Sequence, residues 1–414
     1  HPFVATMSGP GYSYAVANFE QISGSSTKGG LDRAVMHDST GDDVFGGSPT
    51  VATLVGPGYR SEAHGFGQVT GRAINGGFDR AFLFDSAGND TFTGSLATGV
   101  ASMFGPGFLT TAVGFNAVRG DATAGGVDTA ILNDSAGPDR FTSHMLFSTM
   151  TGGGVTHAAR LFEAVVAPSP PGGADIAVLF DPAGDDPFTA TPVHAAIIPN
   201  VPIAGPGHRR EAFGFQPVSA VSENGGRDRA NMFDSAGNDV AAIRPGLANL
   251  SVNGNLYLQA IGFPLVKITA TTGGVDSVTL FDSPGDDAFN ASPLSASLFA
   301  QGPNPAFISE TVGFEVVTAF ASTGNDLATL FDSAGNDTFI ANARTGVASM
   351  RGPGNNYRIE TAGFDQVFAV ASGGIDTAIL TDGLGIDTFF GRGIDGRMFG
   401  TGFLFSIRQF NHVT

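Results

Sequence analysis

The chain has 414 residues, of which 42% are hydrophobic and only 14% charged, with a formal net charge of -18 and no cysteine. That balance excludes disulfides, thiolate metal sites and a thiol nucleophile, and it argues against nucleic acid or anionic membrane as partners. No apolar run is long enough to insert into a membrane as a spanning helix.

The chain opens on His1-Pro-Phe3-Val with no charged-then-apolar leader. This fits a secreted or cell-surface protein whose signal peptide has been removed, or a piece of something larger. Residues 1–31 read as the second half of a repeat. From Asp32 onward one unit is copied eight times, beginning at Asp32, Asp79, Asp128, Asp175, Asp228, Asp276, Asp326 and Asp376. In every copy a second Asp follows six residues later and a third five after that, and the spacing between copies runs from 47 to 53 residues. A single period throughout predicts one repeat domain over 1–414 with no internal boundary.

Each repeat has two halves. In the second copy the first half runs Asp79-Arg-Ala-Phe-Leu-Phe-Asp85, a Ser86-Ala-Gly-Asn turn, then Asp90-Thr-Phe92. Small or apolar residues alternate with variable ones there, which is the period of a strand. The second half carries Val100-Ala-Ser-Met-Phe, the tight turn Gly105-Pro-Gly107, then Phe115, and closes on Gly125-Gly126 before the next Asp. Gly or Pro interrupts nearly every window, so no long helix is expected. The pattern predicts an all-β chain of about four short strands per repeat. We expect a parallel β-solenoid with two coils per repeat of about 49 residues, eight repeats plus an extra N-terminal half. An eight-bladed β-propeller is the alternative.

The words Asp85-Ser-Ala-Gly-Asn-Asp-Thr-Phe92, repeated at Asp332 to Phe339, together with Gly-Gly-x-Asp, resemble the tandem repeats of very large secreted bacterial surface proteins. The resemblance covers nearly the whole chain and implies adhesive or structural surface material rather than an enzyme. A looser likeness is to RTX-type calcium solenoids, from which this chain departs in having one Asp turn per long repeat instead of a tandem run.

Oxygen ligands around a Gly-containing turn suit Ca²⁺, and the candidate ligands are Asp38, Asp43, Asp85, Asp90, Asp134, Asp139, Asp181, Asp186, Asp234, Asp239, Asp282, Asp287, Asp332, Asp337, Asp382 and Asp387. Asp79, Asp85 and Asp90 offer three carboxylates within the second repeat, and Asp42, Asp185 and Asp286 add a fourth acid beside their turns. The competing reading is that Asp caps turns through backbone amides and needs no ion. For assembly, Phe84, Phe180, Phe233, Phe281 and Phe331 precede the middle Asp and by alternation face outward, as an aromatic stripe. Phe3 at one end and Phe399, Phe403, Phe405 and Phe410 at the other look uncapped. These features point to a non-enzymatic extracellular structural protein that adds to itself head-to-tail in a fibre, sheath or surface layer. The alternatives are a calcium-dependent adhesin or binding module, with polysaccharide or other cell-surface material as ligand, and a polysaccharide lyase or hydrolase. Residues 144–211 are the least regular and hold His144, His157, His194, His208, Arg209, Arg210 and Glu211, but their spacing fits no catalytic motif.

Overall fold

A computed structural model describes residues 4–28, 30–170, 172–199 and 208–414. It forms two compact units, His1–Pro182 with Val193–Val218 and Ala183–Pro192 with Ser219–Thr414. Among the described residues the only helix is the short 3-10 turn Pro353–Asn355. Each unit is a β-solenoid of stacked coils, and the propeller alternative is excluded.

The second repeat shows how the sequence builds a coil. Its strands are Arg80–Phe84, Thr91–Ser95, Val100–Gly105, Phe108–Val113 and Ala117–Asp121, five where about four were expected. The first and last lie side by side and parallel in one sheet. The middle three form an antiparallel meander in the other. Neighbouring repeats then add in parallel: Thr91–Ser95 pairs with Thr129–Asn133, and Phe108–Val113 pairs with Gln68–Arg72. The stacking is therefore parallel except at Val100–Gly105, which runs against both neighbours. The reason is local. The chain reverses over residues 96–99, where Gly99 sits at φ +63, and again at Pro106-Gly107, where Gly107 sits at φ +86, and such short turns permit only antiparallel partners.

Each repeat crosses between the sheets three times, an odd number, so successive repeats exchange sheets. Arg80–Phe84 and Thr129–Asn133 occupy the same place in their repeats yet lie in opposite sheets. The same holds in the second unit for Ser277–Phe281 and Leu327–Phe331.

The core lies between the sheets. The Phe that follows the third Asp is fully buried at Phe45, Phe92, Phe141, Phe188, Phe289 and Phe339. Each of these rings packs on the second-half Phe of the next repeat: Phe45 on Phe115, Phe92 on Phe162 and Phe339 on Phe410, with centroids 5.9, 6.0 and 6.1 Å apart. Such contacts tie consecutive repeats together, and each Phe contributes about 3–5 kcal/mol by the usual cost of its removal. Room for Phe92 comes from the facing sheet, where a Cβ on Gly120 would lie 2.6 Å from the Phe92 ring.

Candidate functional site

The Asp turns are assembled from two repeats. Within the second repeat the Ser86 N–H and hydroxyl donate to Asp90 Oδ2 at 2.7 and 2.8 Å, and the Gly88 N–H donates to Ser86 Oγ at 3.2 Å. The loop that ends the repeat then lies directly on this turn. A Cβ on Gly126, at φ +114, would fall 2.1 Å from the Gly88 carbonyl oxygen, which explains the Gly-Gly doublet. The loop is pinned by Ala124 N–H to Asp85 Oδ2 at 2.8 Å and Val127 N–H to Asn89 Oδ1 at 2.9 Å. The first Asp of the following repeat, Asp128, thereby accepts from the Asp90 N–H at 2.7 Å.

Asp85, Asp90 and Asp128 end up buried with carboxylate oxygens within 4.8 Å of one another. Asp38, Asp43 and Asp79, Asp134, Asp139 and Asp175, and Asp282, Asp287 and Asp326 form equivalent clusters. The grouping expected from sequence, Asp79 with Asp85 and Asp90, is corrected: the third acid comes from the next copy, because the chain must complete a coil before it returns to the turn. The first Asp of a copy, expected at its own turn, instead serves the turn of the preceding copy, as Asp79, Asp128, Asp175 and Asp326 do. The supposed fourth acids Asp42, Asp185 and Asp286 do not join in. They accept backbone N–H groups of Phe78, Arg227 and Asn325, as Asn89 does in its own repeat. Asp234 accepts from Thr272, Asp332 from Ser372, and Asp239 and Asp337 donate their N–H groups to Asp276 and Asp376. Likewise the Asp186 N–H donates to Asp228 at 2.7 Å. Asp181 is buried, and exposed Asp382 pairs with Arg344 at 3.1 Å while Asp387 accepts from the Gly383 N–H.

The repeats differ at one atom. The tyrosine hydroxyls of Tyr59, Tyr257 and Tyr357 donate to Oδ1 of Asp43, Asp239 and Asp337 at 2.8, 2.7 and 2.6 Å. Phe108, Val155 and Phe307 stand at the corresponding turns of the second, third and sixth repeats. There Oδ1 of Asp90, Asp139 and Asp287 is buried with no hydrogen-bond partner. Asp85 Oδ1, Asp134 Oδ2 and Asp326 Oδ2 are buried and unpartnered in the same three clusters. Among the described residues no Lys or Arg ion pair reaches them. Burial pushes the carboxyls of Asp128 and Asp326 up to about 6, against the opposing effect of the N–H bonds each accepts. Asp134 and Asp287 are raised for the same first reason.

The outward Phe residues lie in both sheets rather than in one stripe. Within the first unit Phe84 and Phe180 belong to strands of the same sheet, and within the second unit Phe281 belongs to one sheet and Phe233 and Phe331 to the other, because repeats exchange sheets. Phe84 and Phe331 are exposed, whereas Phe180 is stacked on His144 at 4.0 Å and Phe281 on Phe320 at 5.6 Å. Of the terminal aromatics, Phe405 and Phe410 are buried in the core of the second unit and are withdrawn as contact residues. Phe399 is exposed, Phe403 half-buried, and Phe3 lies outside the described residues. Sequence reasoning missed Phe389, which is 48% exposed although its counterparts Phe92 and Phe339 are fully buried. Among the described residues its strand, Thr388–Arg392, pairs with Asp395–Gly400 alone.

In the irregular stretch several of the described side chains make hydrogen-bond and stacking contacts. Buried Arg210 donates to the carbonyl oxygens of His144, Met145, Phe162 and Glu163. His157 is fully buried among the sheets, and His194 stacks on Phe213 at 4.3 Å. Arg209 pairs with Glu211 at 3.0 Å. In comparison with known proteins, no family model matches the chain and no curated protein matches it.

Proposed function

We propose that the chain is a non-enzymatic structural element of a secreted or cell-surface fibre, sheath or layer, in which copies add head-to-tail. The observation that carries this reading is the half-made pair at Phe389. Within the chain, the strand bearing this Phe pairs in parallel with the first strand of the next repeat, as Phe92 opposite Ala130 and Phe339 opposite Ala378. Thr388–Arg392 offers that edge and that ring. In the first unit, Arg33–His37 offers the complementary edge, with Ala34 in the matching position and Gln68–Arg72 as its one partner among the described residues. An unpaired strand edge beside an exposed aromatic favours addition of a like repeat. A contact between different ends of one molecule does not close, so it propagates.

Electron microscopy and sedimentation across a concentration series test this. Wild-type protein is expected to form filaments, and Phe389→Glu to stay monomeric with an unchanged circular dichroism spectrum. A wild-type protein that stays monomeric at every concentration overturns the reading and leaves the edge to further repeats of the same chain. A second reading, a calcium-dependent adhesin or binding module, is favoured by the buried, unpartnered carboxylate oxygens of the Asp clusters.

A further inference from the structure

We infer that the Asp clusters are of two kinds, and that those lacking the tyrosine hydroxyl hold a hard divalent cation of the Ca²⁺ type: Asp85–Asp90–Asp128, Asp134–Asp139–Asp175 and Asp282–Asp287–Asp326. In the cluster Asp38–Asp43–Asp79 the Tyr59 hydroxyl donates to Asp43 Oδ1 at 2.8 Å, and Asp38 is satisfied by the N–H groups of Ile74 and Asn75. Every inward oxygen of the second and third acids then has a protein donor. At Asp90 the corresponding turn carries Phe108, a ring with nothing to donate, and Oδ1 of both Asp90 and Asp85 is left over. The two kinds of cluster share the Ser-mediated turn and the N–H bond from the third Asp to the next repeat. They differ only in what answers the remaining negative oxygens.

Leaving two buried carboxylate oxygens unanswered beside a third acid is costly, since each charged group without a partner loses its hydration. A cation answers all of them together. Oxygens sharing one Ca²⁺ at about 2.4 Å each lie no more than about 4.8 Å apart. The clustered oxygens meet that limit, at 4.8 Å or less. An all-carboxylate set without nitrogen or sulfur selects Ca²⁺ over Zn²⁺ or Cu²⁺. The inference does not depend on head-to-tail assembly.

The test exchanges the two kinds of cluster in the full-length chain. Metal content after equilibration with Ca²⁺ and desalting is measured by mass spectrometry for wild type, Phe108→Tyr and Tyr59→Phe. Phe108→Tyr supplies a hydroxyl to Asp90 and is expected to retain one ion fewer per chain. Tyr59→Phe removes the hydroxyl from Asp43 and is expected to retain one more. Ca²⁺ is further expected to raise the wild-type unfolding temperature, with a smaller rise in Phe108→Tyr. A wild-type chain that retains no ion and shows no Ca²⁺-dependent shift overturns the inference. So does unchanged stoichiometry in both folded variants, which would put the ions elsewhere, and so would clusters neutralised by protons alone, seen as Ca²⁺-independent unfolding at pH 5 and pH 7.5.

Discussion

Two glycines of one turn, Gly105 and Gly107, are expected to respond to alanine in the opposite order from the one their backbone angles suggest. Gly107 has φ +86 and open space around it, so Gly107→Ala costs only the left-handed conformation, about 1–2 kcal/mol. Gly105 has no such constraint, but a Cβ there would lie 1.6 Å from Asp90 Oδ1 and 2.8 Å from its Cγ. Asp90 then has to swing away and give up the two bonds it accepts from Ser86. At roughly 1.5–3 kcal/mol for each hydrogen bond to a charged acceptor, Gly105→Ala costs about 3–6 kcal/mol. Urea unfolding followed by circular dichroism measures both. Equal midpoints for the two variants, or a larger loss in Gly107→Ala, would refute the claim that the Asp side chain dictates this glycine.

Three further outcomes follow from the core and the first unit. Phe92→Ala removes a fully buried ring from its contact with Phe162 and is expected to cost about 3–5 kcal/mol in the same urea assay. His157 is fully buried with both ring nitrogens unpartnered, and burial lowers its pKa from 6.5 to about 4. The unfolded chain therefore takes up a proton that the folded chain refuses, so this histidine's contribution is intact above pH 6.5 and is lost as pH falls towards 4. His157→Leu is expected to flatten that part of the stability-pH curve, as read by thermal melts from pH 7.5 to pH 4. Arg210→Ala orphans the carbonyls of His144, Met145 and Phe162, leaves that of Glu163 with only the Arg209 N–H, and is expected to cost about 3 kcal/mol or more, with Arg210→Lys giving only partial rescue.

The strands were legible because their signals are local: Ala81 and Leu83 alternate with exposed neighbours, and Gly105-Pro-Gly107 punctuates them. The Asp register was equally plain, and it led to the right turns. What sequence could not supply was which copies meet. Asp128 joins Asp85 and Asp90 only because a coil intervenes, and that closure is a property of three-dimensional winding. The Gly-Gly-x-Asp word was the available signal, since a glycine pair just before an acid marks a loop pressed against another backbone. The choice of Tyr or Phe at this turn (Tyr59, Phe108, Tyr257, Phe307, Tyr357) was visible too, but its meaning depends on where the ring edge points. Burial of Phe405 escaped notice because an apolar terminal residue looks the same whether it faces inward or outward, whereas Phe410 falls in the recurring second-half series with Phe115 and Phe162, which reads most simply as a core stack.

Because equivalent strands of adjacent copies belong to opposite sheets, the motif that repeats in sequence is only half of the motif that repeats in space. Removing or inserting a single copy within either unit would turn every later side chain onto the reverse side, exchanging what each surface displays while leaving the interior intact. Shortening or lengthening by two copies would preserve both surfaces. Pairs of copies are thus the natural module for building longer or shorter versions of this scaffold.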